Sequence, residues 1–500
     1  MRKPSSFLAA LTATLVALTT APIAQGAPAP AAPVITPLTM NTDAAFDALN
    51  RSFLVSDGNR RYYKESLGKT GKDYFWRQAL DIQAAEDVYD STRRPETRDL
   101  IGRLLDTFLQ QNQGSGGLYD WNWNEYNDDL LWAGLAFARG YKITGNRTYL
   151  SQAQYAFTRI YDRGWDSALG GGVWWSVEKQ EKSALSNSPA VILGVLIFES
   201  TGDRAYLDRA RAIYDWTWGH LLDRSTGGVH EHIKANGTVS SGQTVYSAGA
   251  FVGAAQALYR NTGQRSIFDD AKRTTDWVIR ERTVNGIMTN GTREGTWQSE
   301  FSRGMGEFVR ENNLWDQYYD FMKRNADAAW NARRTDLLLT WNRWDTQTPR
   351  DDTRAVEAIG SVIMQAVTPA SKPSGSTIVS NWNGKCVDVS GGTFTDGQRT
   401  VMWDCNGGAN QKWEFTGSEL RTQNNKCLDV KGGSTVNGAV IQLWSCNSTV
   451  AQRFALSATG DLVNLHSNKC VDISGWEPNN GAVLVLWDCT GAANQKWHRN

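Results

Sequence analysis

The six cysteines of this 500-residue chain all fall after residue 380, at Cys386, Cys405, Cys427, Cys446, Cys470 and Cys489. The chain is therefore divided. Its long cysteine-free part must be held by core packing, which a domain of that size can supply, and its short part rests on a disulfide framework. The short part repeats three times. Cys386-Val-Asp388 leads to Trp403-Asp-Cys405 and Asn410-Gln411-Lys-Trp413. Cys427-Leu-Asp429 leads to Trp444-Ser-Cys446 and Gln452-Arg-Phe454, and Cys470-Val-Asp472 to Trp487-Asp-Cys489 and Asn494-Gln495-Lys-Trp497. The two cysteines of each repeat are 19 residues apart, which argues for one disulfide inside each repeat. The spacing of valine, leucine and tryptophan predicts short strands closing about a pseudo-threefold axis.

Upstream, 366–376 is short, polar and rich in Pro and Ser, the composition of a tether between folded units. At the other end, Arg2 and Lys3 precede an apolar stretch from Phe7 to Ala21, with small residues at Ala24-Gln25-Gly26-Ala27. That is the pattern of a secretory signal peptide over 1–27, followed by an Ala/Pro-rich flexible leader over 28–41. No later segment approaches the ~20 apolar residues of a bilayer span; the longest run, Ala190 to Phe198, reads as a buried core helix. A formal net charge of zero argues against nucleic acid or an anionic membrane as a partner. The expectation is a secreted, extracellular monomer.

The long part, 42–365, carries a repeated helical hairpin. Tyr141-Lys-Ile-Thr-Gly, Phe198-Glu-Ser-Thr-Gly and Tyr259-Arg-Asn-Thr-Gly each end an apolar helix, turn on glycine and open an amphipathic helix. Recurring hairpins predict a closed toroid of paired helices, an (α/α) barrel, with an open helical solenoid as the competing architecture. The inner helices should be apolar nearly all round and the outer ones amphipathic. Long Trp- and Gly-rich loops after the hairpins favour the toroid, because they could line a cleft at one rim.

One such loop, Gly116-Gly117 through Asp120-Trp121-Asn122-Trp123, leads into Asn127-Asp128-Asp129 and Trp132. From Leu130 the apolar positions Leu130, Gly134, Phe137 and Tyr141 form a helical stripe, so the two aspartates fall in the first turn of a helix. A helix start favours anionic side chains, so a structural role competes. The setting differs from that of Asp269-Asp270 and Asp351-Asp352. Trp121, Trp123, Tyr126 and Trp132 are flat faces suited to sugar rings, and Asn122, Asn124 and Asn127 can bond hydroxyls. The chain's 22 Trp, 16 Tyr and 16 Phe are compatible with carbohydrate binding. His230-Glu231-His232 lacks clustered partners and reads as a loop lining the cleft, so neither a metal nor any other cofactor is expected.

These motifs resemble two known families. Asn127-Asp128-Asp129 with Trp132, Gly171-Gly172-Val173-Trp174-Trp175, Lys182-Ser-Ala-Leu-Ser-Asn187, Thr201-Gly202-Asp203 and Tyr246-Ser-Ala-Gly-Ala-Phe251 are similar, in order, to glycoside hydrolase family 76 across roughly 44–364. The resemblance implies an all-α (α/α)6 barrel acting on the α-1,6 linkages of mannan. It further implies endo action and retention, with Asp128 as nucleophile and Asp129 as general acid/base. Retaining glycosidases need two carboxyl groups about 5 to 5.5 Å apart, which consecutive residues can provide. Asn127, Trp132, Trp174, Trp175, Asn187 and Tyr246 are the expected substrate contacts. The family often shows Tyr-Asn-Gln-Gly where this chain has Tyr246-Ser247-Ala248-Gly249, so some subsite contacts are expected to differ.

Residues 377–500 resemble the ricin-type β-trefoil lectin, carbohydrate-binding module family 13. That resemblance implies sugar contacts at Asp388 with Asn410 and Asp472 with Asn494. Asp429 has Ala451 at the matching amide position. The alternatives to a mannan hydrolase are a barrel that binds carbohydrate without cleaving it and a cell-wall transglycosylase on the same scaffold.

Overall fold

The computed structural model describes residues 41–117, 120–289, 297–312, 314–372, 375–406, 409–457 and 459–499. The expected signal peptide, and the expected leader apart from Asn41, lie outside them. Twelve α-helices span the described part of the large domain: α1 (Thr42–Phe53), α2 (Phe75–Thr92), α3 (Pro95–Gln111), α4 (Asn127–Thr144), α5 (Arg147–Gly164), α6 (Ala184–Thr201), α7 (Arg204–His220), α8 (Val245–Thr262), α9 (Arg265–Glu281), α10 (Trp297–Glu311), α11 (Trp315–Asn331) and α12 (Ala355–Val367).

The Thr-Gly steps set the hairpins. α4, α6 and α8 each end on threonine, and Gly145, Gly202 and Gly263 cap them with φ of 77°, 76° and 66°, a left-handed backbone that glycine adopts without a Cβ penalty. Asn146 and Asp203 then cap the next helices, their side chains accepting from the backbone N–H of Thr148 and Ala205. Each hairpin reverses direction, so the even-numbered helices all run the same way. α2, α4, α6, α8, α10 and α12 pack in that order, and α12 closes on α2. The odd-numbered helices lie outside them. α6 is long and apolar enough to cross a membrane by composition alone, and two thirds of it is buried in the barrel, the position of a core helix. α8 and α10 meet most closely: a Cβ on Gly249 would fall 2.2 Å from the Phe301 backbone nitrogen. Ser247 and Ala248, the two departures from the family pattern, are buried in this contact region.

The parallel inner ring has two unlike rims. Short Thr-Gly turns lie at the C-terminal rim, and the long loops that lead into α4, α6, α8 and α12 lie at the N-terminal one.

The described residues between 376 and 499 include three four-stranded sheets. Three disulfides, Cys386–Cys405, Cys427–Cys446 and Cys470–Cys489, each close a repeat. Trp413, Phe454 and Trp497 fill the core. The two indoles donate to the carbonyls of Val387 and Val471, so the last residue of each Gln-x-Trp/Phe motif serves the fold. The repeats interlock cyclically. The amides of Gly397, Gly438 and Gly481 donate to Leu443, Leu486 and Met402, each at 2.8 Å, so every repeat holds the next one's hairpin.

The described residues 366–372 of the joining segment lie on the barrel. α12 runs through Val367, two residues into it, and the Tyr319 hydroxyl donates to the carbonyls of Pro369 and Ala370. Lys372 pairs with Asp316. The trefoil itself docks on the C-terminal rim: Arg421 Nη1 donates to Asn312 Oδ1 (3.1 Å), and Asn425 Nδ2 to the Tyr259 hydroxyl (3.3 Å). Arg421 is buried there with Glu419, Nε to Oε2 2.8 Å. These pairs were not legible in the tether-like composition of 366–376. Breaking a buried ion pair from one side leaves the other charge uncompensated. Arg421→Ala should therefore cost about 3 kcal/mol in chemical denaturation, and Arg421→Ala with Glu419→Gln should recover most of it.

Candidate active-site cleft

The N-terminal rim opens into a cleft of about 1030 Å³ that contains Asp128, Asp129, Trp132, Trp175 and Tyr246. α4 begins inside it. Asn127, its first residue, is a clamp: its backbone N–H donates to Trp175 O (2.8 Å), its Nδ2 to Trp174 O (2.7 Å), and its Oδ1 accepts from Arg163 Nε (2.7 Å). The clamp binds the 170s loop to the helix start and brings the Trp175 indole N–H to the Asp128 carboxyl. From the other side Asn124 folds back, its Oδ1 accepting from the Tyr126 N–H and its Nδ2 donating to Asp129 Oδ2 at 2.8 Å. Trp132 stacks on Tyr246, centroids 5.7 Å apart and planes within 19°.

The carboxyl pair is half-buried, and that partial burial decides its ionisation. Burial first, then the neighbouring Asp129 charge, pushes Asp128 up to about 8, against the opposing pull of the Trp175 indole. Burial raises Asp129 to about 6, opposed by the Asn124 amide. Asp128 Oδ1 is buried and has no hydrogen-bond partner among the described residues. Two adjacent carboxyls that repel each other's charge titrate as a unit, and between those values they hold one proton.

Several residues expected at the sugar serve the scaffold instead. Asn127 is 1% exposed and fully engaged in the clamp. Trp174 is 4% exposed, its indole donating to Asp166 (2.7 Å) and the Lys182 ammonium lying 4.5 Å over its ring. Lys182 is itself buried, bonded to Asp166 and to the carbonyls of Ala168 and Gly171. Asn187 is buried and binds both the N–H and the carbonyl of Val173. Gly172 admits the Trp216 ring, which a Cβ would meet at 2.4 Å, so its close approach is to a side chain of the fold. Trp121 is a core residue between Phe75, Phe108 and Phe137. His232 lies in a short strand paired with Glu181–Ser183, and neither it nor His230 lines the cleft.

Trp175 and Tyr246 do line it, while Trp132, expected as a sugar contact, is buried against Tyr246. The exposed rings of Trp123, Tyr126 and Tyr74 add flat faces. The wall formed by Lys72, Asp73, Tyr74 and Trp76, at the start of α2, was not anticipated from sequence. Its signal was an aromatic run just before an apolar helical stripe.

In the trefoil, Asp388 accepts from Asn410 (2.7 Å) and Gln411 (2.8 Å), and Asp472 from Asn494 (2.9 Å) and Gln495 (2.8 Å). Asp429 has Gln452 and, in place of the missing amide at Ala451, Gln442, both at 3.0 Å. Gln442 lies directly across the hairpin from Asp429, where the other repeats have Val401 and Val485. Two residues further along, on the same strand face, Trp403, Trp444 and Trp487 are each about 40% exposed.

A closed helical barrel with a half-buried carboxyl pair at its open rim, joined to a three-repeat trefoil, is the architecture of a glycosidase carrying a lectin domain. Residues 42–374 match Glycosyl hydrolase family 76, and 375–497 match the ricin-type beta-trefoil lectin domain. The chain belongs to glycosyl hydrolase family 76. A putative mannan endo-1,6-alpha-mannosidase of Schizosaccharomyces pombe is 27% identical over 241 residues, 44% of this chain and 53% of that protein. A mannan endo-1,6-alpha-mannosidase of Saccharomyces cerevisiae is 26% identical over 328 residues, 58% of this chain and 70% of that one. This chain thus spans about half the length of the first relative and more of the second. Among solved structures, an inactive α-1,6-mannanase variant from a Salegentibacter species, in complex with α-1,6-mannotriose, superposes with a TM-score of 0.60. It is 22% identical over 66% of this chain and 98% of that one.

Because the folded pair holds protons more tightly than the unfolded chain, its burial costs stability as pH rises. The cost is small near the ordinary carboxyl value and grows until pH passes about 8. Asp128→Asn should raise the melting temperature by several degrees at pH 8.5 and by much less at pH 5.

Proposed function

We propose that this protein is an exported hydrolase that cuts α-1,6-mannosidic bonds within mannan chains with retention of configuration, its lectin holding it on polysaccharide. The observation that carries the reading is the half-buried pair of adjacent carboxyls facing an open aromatic cleft. Support comes from relatives named as mannan endo-1,6-alpha-mannosidases. The inactive Salegentibacter mannanase that holds mannotriose carries Asp-to-Asn changes at two consecutive positions.

In this reading the Asp128 carboxylate attacks the anomeric carbon as the glycosidic C–O bond breaks, and Asp129 gives its proton to the leaving oxygen. Water then yields a proton to Asp129 and its hydroxyl to the anomeric carbon, releasing Asp128 with configuration retained. The pair shares its proton, and the reaction draws on the state with that proton on Asp129 and Asp128 ionised. Positive charge developing at the anomeric carbon is stabilised by the Asp128 carboxylate beside it. Trp175 donates to Asp128 throughout, and Asn124 holds Asp129.

Purified protein should release short mannooligosaccharides from unbranched α-1,6-mannan, and Asp128→Asn and Asp129→Asn should each lower kcat at least about a thousandfold. Absence of release by the unmodified protein would sink the assignment. Since one proton on the pair is required, kcat/KM should rise through about pH 6 and fall through about pH 8. Azide should rescue Asp129→Ala on an activated aryl mannoside with retained stereochemistry; rescue of Asp128→Ala in that way would reverse the two roles. An added acceptor mannoside separates the classes: elongated products in place of reducing sugar would mark a transglycosylase.

A further inference from the structure

The three trefoil repeats differ at one turn. Asp388-Val-Ser-Gly-Gly392 and Asp429-Val-Lys-Gly-Gly433 end on glycine, but Asp472-Ile-Ser-Gly-Trp476 ends on tryptophan. All three positions have the same left-handed backbone, φ 64°, 62° and 56°. Glycine is at ease there, and a bulky L-residue is strained. The strained ring is not used to fill the core: Trp476 is 48% exposed. Hydrogen bonds hold the chain that follows it. The Glu477 N–H donates to Ser474 O, Asn480 Nδ2 to Asp404 Oδ2 (2.8 Å), and the Gly481 N–H to Met402 O.

A second substitution faces it. Trp382 stands four residues before the first cysteine of its repeat, where the other repeats have Gln423 and His466. Trp382 is half-buried against the trefoil core, and the two rings meet edge to face, centroids 5.4 Å apart and planes at 87°. Repeat three therefore presents to solvent a fixed, upright indole backed by another, one short turn from Asp472. Asn494, the amide on Asp472, also reaches the carbonyl of Ile473 at that turn's entrance. Strain kept at an exposed aromatic beside a polar site is a signature of function. A flat ring next to the exposed Glu477 and Asn479 suits the apolar face of a sugar whose hydroxyls turn outward.

We propose that Trp476, braced by Trp382, is a second sugar platform that extends the repeat-three site. That site then takes a glycan of two or more units, where the sites at Asp388 and Asp429 take one. The inference rests on the reading of Asp472 and Asn494 as a sugar site, and the test separates the two. Full-length protein carrying Asp128→Asn and Asp129→Asn, so that nothing is cleaved, is applied to an array of one- to six-unit oligosaccharides of mannose, galactose, glucose, xylose and arabinose. Signals lost on adding Asp472→Asn belong to repeat three. For those glycans, Trp476→Gly should weaken binding about tenfold at two units and above and leave competition by the free monosaccharide unchanged. The melting temperature should hold or rise, because the strained residue reverts to the one its sister repeats carry. Trp382→Gln should give a weaker loss of the same kind. Equal weakening for monosaccharide and oligosaccharide, or none, would overturn the platform while leaving the Asp472 site intact. If Asp472→Asn removes no signal, the sugar-site reading falls and the platform with it.

Discussion

The site depends on the ring of six inner helices running parallel. An antiparallel partner between each pair fixes that direction, so six helix N-termini converge at one rim and the short glycine turns at the other. The N-terminal rim offers positive helix ends, where anions gain at most about 2 kcal/mol. Burial of a carboxylate costs several kcal/mol, so at Asp128 burial wins and the group holds its proton near neutral pH. A capping aspartate would be exposed and ionised. The depth of the pair, more than its place in the helix, makes it suited to acid–base work.

Depth of that kind has to be built by neighbours, and the polar residues behind the cleft do it. Asn127 ties α4 to the Trp174-Trp175 backbone through three hydrogen bonds. Asn187 ties the same loop to α6 through Val173, and Lys182 gathers Asp166, Ala168 and Gly171 beneath Trp174. Each is a buried polar group with its partners satisfied, costly to disturb because the alternative is an unpaired group in a low dielectric.

The barrel was legible because its signals are local. A Thr-Gly step ends a helix wherever it falls, and three of them at regular intervals imply hairpins. The disulfide pairing was legible for the same reason, through a constant spacing. Roles at the cleft were less so. Asn127 and Asn187 have the chemistry of sugar ligands, and Trp174 is as flat as Trp175; only the packing of distant segments turns one face outward and the other in. Nor could composition foresee the docked trefoil, since Arg421 and Asn312 are over a hundred residues apart and meet only when both domains have formed. The amide from Gln442 escaped for a related reason: it comes from across the hairpin, outside the Gln-x-Trp motif.

Threefold redundancy explains why the trefoil tolerates such variation. Each repeat closes its own disulfide and hands a backbone hydrogen bond to the next, so the core residues Trp413, Phe454 and Trp497 bear the fold while the turns between are free to differ. Repeat two has been used for docking: Arg421 and Asn425 face the barrel, and its Asp429 is served by a different amide. Repeat three keeps the strained Trp476. The docking contacts all fall at the C-terminal rim, where α8 and α10 end, and α8 alone, at 18 residues, is roughly 27 Å long. The cleft opens at the rim where those helices begin. A trefoil held there, through Asn312 and Tyr259, does not roof the aspartate pair. Its three repeats lie on the far side of the barrel from the cleft, which they leave unobstructed.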